Sequence, residues 1–212
     1  MPTLIALSDL AARLAAMPVG HRHIVGLAGA PGSGKSTAAD RLVARIEQIA
    51  PGRAAVLPMD GYHLDDGILV ARGLRPRKGA PDTFDVPGFV HMLARLRANE
   101  EAEIAIPEFD RDLEIARAGA RMIPKTVEIL VVEGNYLLLD RPPWSALAGA
   151  FDLTVFVDVP EAERARRLMA RWLDLGFSDA EARLKVEQND MPNGRLITDE
   201  SLPPDLTLDG TA

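Results

Sequence analysis

The sequence predicts an α/β fold: a three-layer α/β/α sandwich on a mostly parallel central sheet. Three observations predict it. Short apolar runs rich in β-branched residues alternate with stretches of helical periodicity. The strand-like runs are apolar throughout, as in strands covered by helices on both faces. Finally, Gly29-Ala30-Pro31-Gly32-Ser33-Gly34-Lys35-Ser36 follows the first such run and opens a helical stretch, the context that a phosphate-binding loop requires.

Taken in order, Leu4, Leu7, Leu10, Leu14 and Met17 recur at helical spacing, so residues 1–17 read as an amphipathic helix rather than a signal peptide. Residues 24–27 read as a buried strand, 35–49 as the helix behind the glycine-rich loop, and 54–57 as the second strand. A helix is expected over 87–98, strands over 127–132 and 153–157, and helices over 161–175 and 178–187. Ser178, with Glu181 three residues on, has the pattern of a capping box. A turn at 189–195 and a last strand-like segment at 205–208 complete the reading. The rhythm breaks once: about 70 residues separate the second and third strands, more than a crossover needs. Residues 61–126 therefore read as an inserted substrate-handling region, with Arg72, Arg75, Arg77 and Lys78 followed by Asp82 and Asp85.

At 212 residues and 47% hydrophobic content the chain can fill one core, and 1–212 is read as one domain. With 24 Lys plus Arg against 31 Asp plus Glu, the formal charge of -7 offers no basic excess to a nucleic acid or an anionic membrane. The apolar runs are too short to span a membrane, so the chain is expected to be soluble and cytoplasmic. It has no cysteine, which excludes thiolate chemistry and leaves oxygen and nitrogen groups.

The glycines of the loop let backbone N–H groups curl around a phosphate, and the helix N-terminus adds positive potential. Lys35 can reach the β- and γ-phosphates, and the Ser36 hydroxyl can ligate Mg2+; Thr37 follows at the same helix start. Two acids end neighbouring strands where ligands bind in open α/β sheets, Asp60 and Glu133. Arg164, Arg167 and Arg171 share a helix face: either they aim at the phosphates, with little weight in stability, or they are a solvated row paired to Glu161 and Glu163. His63 has two readings as well, substrate contact or turn residue. The pair His21 and His23 is expected to face solvent.

These pieces together, with Asp60-Gly61-Tyr62-His63, Arg77-Lys78-Gly79-Ala80-Pro81-Asp82-Thr83-Phe84-Asp85, and Glu133-Gly134-Asn135-Tyr136-Leu137-Leu138, resemble the P-loop kinase superfamily of uridine kinase, phosphoribulokinase and type I pantothenate kinase. The likeness is greatest to a nucleoside/nucleotide kinase-like group, some members of which carry the provisional label fructose transport system kinase. The resemblance implies a P-loop NTPase fold and an ATP- and Mg2+-dependent kinase acting on a hydroxyl of a small molecule. It implies that Asp60 accepts the hydroxyl proton, that Glu133 stands near Mg2+, and that residues 161–190 with their arginines form a lid. It also implies an acceptor site among Tyr62, His63, Lys78, Phe84, Phe109, Asp110 and Arg111. Two departures bear on the acceptor: Thr83-Phe84 stands where pantothenate kinases have Ser-Tyr, and Phe109 where uridine kinases have a tyrosine. Position 189–195 is where the adenine would be sought. The competing function is a nucleotide-hydrolysing switch, but the guanine-reading Asn-Lys-x-Asp pattern is absent from the sequence.

Overall fold

The computed structural model describes residues 2–211. Its strands are β1 (Thr3–Ile5), β2 (His23–Ala28), β3 (Ala54–Pro58), β4 (Glu103–Asp110), β5 (Ile115–Pro124), β6 (Ile129–Gly134), β7 (Leu153–Asp158) and β8 (Leu206–Asp209). Its helices are α1 (Leu7–Ala15), α2 (Lys35–Ile49), α3 (Asp66–Ala71), α4 (Val86–Ala98), α5 (Glu161–Asp174), α6 (Asp179–Lys185) and α7 (Met191–Glu200). Six strands form one parallel sheet in the order β1-β8-β7-β2-β6-β3. The central neighbours β2 and β6 are buried along their whole length, which is why both read as unbroken apolar runs.

Alternation along those strands builds the layers. Val25, Leu27, Ile129 and Val131 pack with Leu10 and Leu14 of α1 and with Leu42 and Ile46 of α2. Ile24, Leu130 and Val132 point the other way, to Phe89, Leu93 and Leu96 of α4 and to Trp144. The sheet therefore has a helical layer on each face, as the sequence predicts.

Local readings differ from the structure at several points, and the inserted region gains detail. The N-terminal helix begins at Leu7, because Thr3–Ile5 is a strand that pairs in parallel with β8. Pairing at an open sheet edge outweighs the helical spacing of Leu4, which is left 68% exposed. Residues 61–126 contain an antiparallel hairpin, β4–β5, irregular between Ile106 and Glu108, where Pro107 has no N–H for the ladder. The segment 189–195 is not a turn: a π-helical stretch, Val186–Asp190, runs straight into α7. The capping box at Ser178 and Glu181 is formed.

His23 is buried rather than solvent-facing, its Nε2 lying 2.8 Å from the Pro18 carbonyl. Its neighbour Arg22 is 1% exposed and donates to the carbonyls of Val127, Leu96 and Pro124 at 2.7 to 2.9 Å. One guanidinium thus binds the ends of α4 and of the hairpin to the root of β2.

Candidate functional site

The glycine-rich loop links the carboxyl end of β2 to the first turn of α2, so its backbone N–H groups and the helix N-terminus face one space. Gly32 has φ +79°, and a Cβ there would stand 2.8 Å from the carbonyl oxygen and 3.2 Å from the Cα of Arg164. Only glycine lets α5 lie this close to the loop. Inside the turn the Ser33 hydroxyl is buried without a partner. A buried oxygen left open within a ring of amides suits a bound oxyanion.

Ser36, in the first turn of α2, donates to Glu133 Oε2 at 3.0 Å from the end of β6. Burial raises the Glu133 pKa, with Asp60 adding to the rise, while Lys35 and the Ser36 hydroxyl oppose it. Asp60 sits past the end of β3 in a short 3₁₀ turn, Met59–Tyr62, which Gly61 lets rest on β4: a Cβ there would be 2.6 Å from the Pro107 carbonyl oxygen. Burial works against the charge of Asp60, but His63, Lys35 and Arg111 outweigh it and hold the carboxyl below its usual range. Burial also lowers the pKa of His63, so near neutral pH the positive charges beside Asp60 are those of Lys35 and Arg111. Arg111 Nη2 donates to Asp60 Oδ2 at 3.0 Å. Ser36, Asp40, Asp60, Glu108, Arg111, Arg121 and Glu133 line one cavity of about 310 Å³. Its hydroxyl and carboxylate oxygens are the donor set that a hard cation such as Mg2+ takes.

The structure splits the arginine row. Arg164 is 4% exposed, its Nε donating to the Val159 carbonyl and its Nη1 buried beside Gly194 without a hydrogen-bond partner. It is not part of a solvated face. Arg167 pairs with Glu163 at 2.8 Å, donates to the Gly210 carbonyl, and comes within 3.6 Å of where a Cβ on Gly34 would be. Arg171 is exposed: its Cζ lies 5.8 Å from the centroid of the Trp172 ring, and it lines one cavity with Arg111 and Arg167. Arg166 is exposed as well, paired with Glu163.

Of the residues expected at the acceptor site, His63, Phe84 and Phe109 come together: the imidazole packs tilted against both rings, 4.1 and 4.6 Å between centroids. His63 Nδ1 lies 2.8 Å from the Asp60 carbonyl, which sets the ring beside the acid. Tyr62 turns to α4 instead and packs on Phe89. Lys78 joins His63, Phe84 and Phe109 from one side: its ammonium lies 5.2 Å from the centroid of the Phe109 ring while donating to Asp66 and to the Glu114 carbonyl at 2.6 and 2.5 Å. Asp110 accepts from the amides of Asp112 and Leu113 and so shapes the hairpin tip that presents Arg111. The loop before Phe84 is held from outside by Asn189 on the Lys78 carbonyl, Tyr136 on that of Gly79, and Trp144 on that of Pro81. Asn189, in the segment expected beside the adenine, thus contacts the loop before Phe84.

Sequence reasoning missed a second space at the phosphate loop. A cavity of about 680 Å³ runs from Gly34 and Thr37 past Arg41 and Arg167 to Leu4, Leu7 and Asp209. The signal for it was the i, i+4 pair Thr37 and Arg41, on the helix face turned from Asp60. Asp40, Glu108 and Arg121 were also missed; Arg121 donates to the Val56 carbonyl and pairs with Glu108 at 2.7 Å. Among the described residues no helix is long and apolar enough to cross a membrane.

No family model matches the chain. It is 33% identical over 197 residues to a Schizosaccharomyces pombe protein provisionally named a uridine kinase, covering 88% of this chain and 83% of that one. It is 32% identical over 162 residues to a pantothenate kinase of Sorangium cellulosum, covering 74% of this chain and 52% of that enzyme. A crystal structure from Silicibacter sp., described provisionally as a fructose transport system kinase, superposes with a TM-score of 0.87 at 41% identity, covering 96% of this chain and 98% of that one.

Proposed function

This chain belongs to the P-loop kinase family of the uridine kinases and pantothenate kinases, and from that premise we propose that it transfers the γ-phosphate of Mg-ATP to a hydroxyl of a small molecule in the cytoplasm. One observation carries the reading: the Ser36–Glu133 contact and Asp60, both beside Lys35, open onto one cavity at the mouth of the phosphate loop.

The loop amides and Lys35 hold the phosphates, and the cavity beside Thr37 and Arg41 takes the nucleoside. Ser36 and Glu133 would hold Mg2+, which supplies charge neutralisation on the phosphate oxygens when bound. Asp60 accepts the acceptor's hydroxyl proton as the new O–P bond forms; the bond to the bridging oxygen breaks, and ADP leaves with its electron pair. The lowered pKa of Asp60 keeps it ionised, and release of the Arg111 hydrogen bond would raise its proton affinity for the acceptor hydroxyl. Arg167, at the loop, counters charge on the transferring group. Residues 61–126 act as the acceptor region, where His63, Phe84 and Phe109 form one wall, and 161–190 as the lid.

Coupled ADP release tests this across uridine, pantothenate, glycerate, ribulose 5-phosphate and fructose, beside a reaction without acceptor. ADP release that depends on an acceptor is expected; release indifferent to every acceptor would favour the switch.

A further inference from the structure

We infer that Arg111 makes the reaction selective for the acceptor over water: it holds the Asp60 carboxylate until an acceptor hydroxyl displaces it, and so suppresses hydrolysis of ATP. The inference rests on the phosphotransferase reading and assigns a role to a residue beside its base.

A base next to a phosphate loop has a standing competitor for its acceptor. In the competing reaction a water oxygen bonds to the γ-phosphorus and a water proton passes to Asp60. The bond to the bridging oxygen breaks, ADP leaves with the electron pair, and inorganic phosphate forms. Among the described residues the Asp60 carboxylate accepts one hydrogen bond, from Arg111 Nη2 to Oδ2 at 3.0 Å. Burial opposes its charge, yet His63, Lys35 and Arg111 hold the carboxyl below its usual range, and of these only Arg111 bonds the carboxylate. A carboxylate bonded in this way is a weaker base at both oxygens, and a weaker base draws a proton from water less readily.

The placement of Arg111 suits a residue that lets go. The backbone of the β4–β5 hairpin tip is tied down: Asp110 accepts from the amides of Asp112 and Leu113, and Lys78 donates to the Glu114 carbonyl. The Arg111 side chain is 53% exposed, and Asp60 is its one partner among the described residues. An ion pair so exposed is weak. An acceptor whose other groups bind along the site can displace it, whereas water brings no such binding energy. Arg111 is also the one described residue that lines both the cavity of about 310 Å³ with Asp60, Ser36 and Glu133 and the cavity of about 450 Å³ beside Arg167 and Trp172. A guanidinium that leaves Asp60 thus has room in the second cavity without any movement of the hairpin backbone.

ADP and inorganic phosphate release, measured without acceptor and then with each acceptor of the panel, tests this on the parent, Arg111→Gln and Arg111→Lys. Without acceptor, Arg111→Gln should release ADP and phosphate in equal amounts about tenfold or more faster than the parent, and Arg111→Lys should fall between the two. Both variants should keep Tm within about 2 °C, since the lost pair is exposed. Adding Asp60→Asn to Arg111→Gln should return hydrolysis to the parent's level, which a merely loosened site would not do. Hydrolysis in Arg111→Gln no faster than in the parent would overturn the inference and leave the kinase standing. So would a rise that survives Asp60→Asn. An absence of acceptor-dependent turnover in the parent across the whole panel would count against the kinase reading itself, and this inference would fall with it.

Discussion

Arg164→Ala should lose stability and turnover together, whereas Arg164→Met should lose turnover alone. Arg164 lies under the phosphate loop at 4% exposure, with its backbone against Gly32 and its guanidinium beside Gly194. Truncating a buried side chain of this length costs about 2 to 4 kcal/mol in packing, and the lost bond to the Val159 carbonyl about 1 more. Against that, the unpaired Nη1 costs the native state roughly 1 to 3 kcal/mol, which its removal returns. The net expectation for Arg164→Ala is a loss centred on about 2 kcal/mol within a span of about 0 to 4, and Tm falls by about 2 to 4 °C per kcal/mol at this chain length. Methionine keeps most of the stem and removes the desolvated charge, so Arg164→Met should stay within about 1.5 kcal/mol of the parent. Both variants lack the loop-side Nη1 donor, and acceptor-dependent turnover should fall by about tenfold or more. Urea denaturation measures the first effect and coupled ADP release the second. An Arg164→Ala midpoint above the parent's would refute the buried placement; full turnover in Arg164→Met would remove Nη1 from the phosphate site.

Gly32→Ala combines a left-handed φ with a collision on the backbone of α5, and should cost about 2 kcal/mol or more along with nucleotide binding. Tight Mg-ATP binding in calorimetry would show that the loop and α5 are less closely packed than described. Lys35→Ala should lose most of its turnover; activity within about tenfold of the parent, about 1.4 kcal/mol, would contradict the phosphate-loop assignment. Arg111→Gln should let the Asp60 pKa rise, read by carbon-13 carboxyl titration. A carboxylate held below its unfolded value contributes stability above that value and loses it as pH falls through the folded one. In Arg111→Gln that contribution should be smaller and its loss complete at a higher pH, while the onset, set by the unfolded value, stays where it is. An unchanged titration would mean that Arg111 does not hold Asp60 in solution.

What could be read from the chain was what depends on local pattern. β2 and β6 are buried on both faces, so their sequences show it, and the glycine spacing of the loop follows from its backbone geometry. β1 could not be read, because only its pairing with β8 nearly the whole chain away makes a strand of Thr3–Ile5. The arginines at 164, 167 and 171 share a helix face by spacing, but their surroundings depend on what packs there: the loop over Arg164, Glu163 beside Arg167, the Trp172 ring under Arg171. Lys78 shows the same limit, since its partners Asp66 and Glu114 meet only when α3 and the hairpin converge. Asp60 and Glu133 were legible because each lies at the carboxyl end of a strand, Glu133 as the last residue but one of β6 and Asp60 two residues past β3, where that end opens on the site.

The central claim, that Asp60 is the group that accepts the proton of an acceptor hydroxyl, is tested most directly by Asp60→Asn, which keeps the shape and removes the charge. Mg-ATP affinity by calorimetry and acceptor-dependent ADP release are measured side by side on parent and variant. With the loop, Lys35 and the Ser36–Glu133 contact intact, the account predicts an ATP affinity within about threefold of the parent and transfer reduced roughly 10²- to 10⁴-fold. Equal turnover in the two proteins would contradict it, and loss of ATP binding together with turnover would make Asp60 part of the Mg2+ site instead of the base.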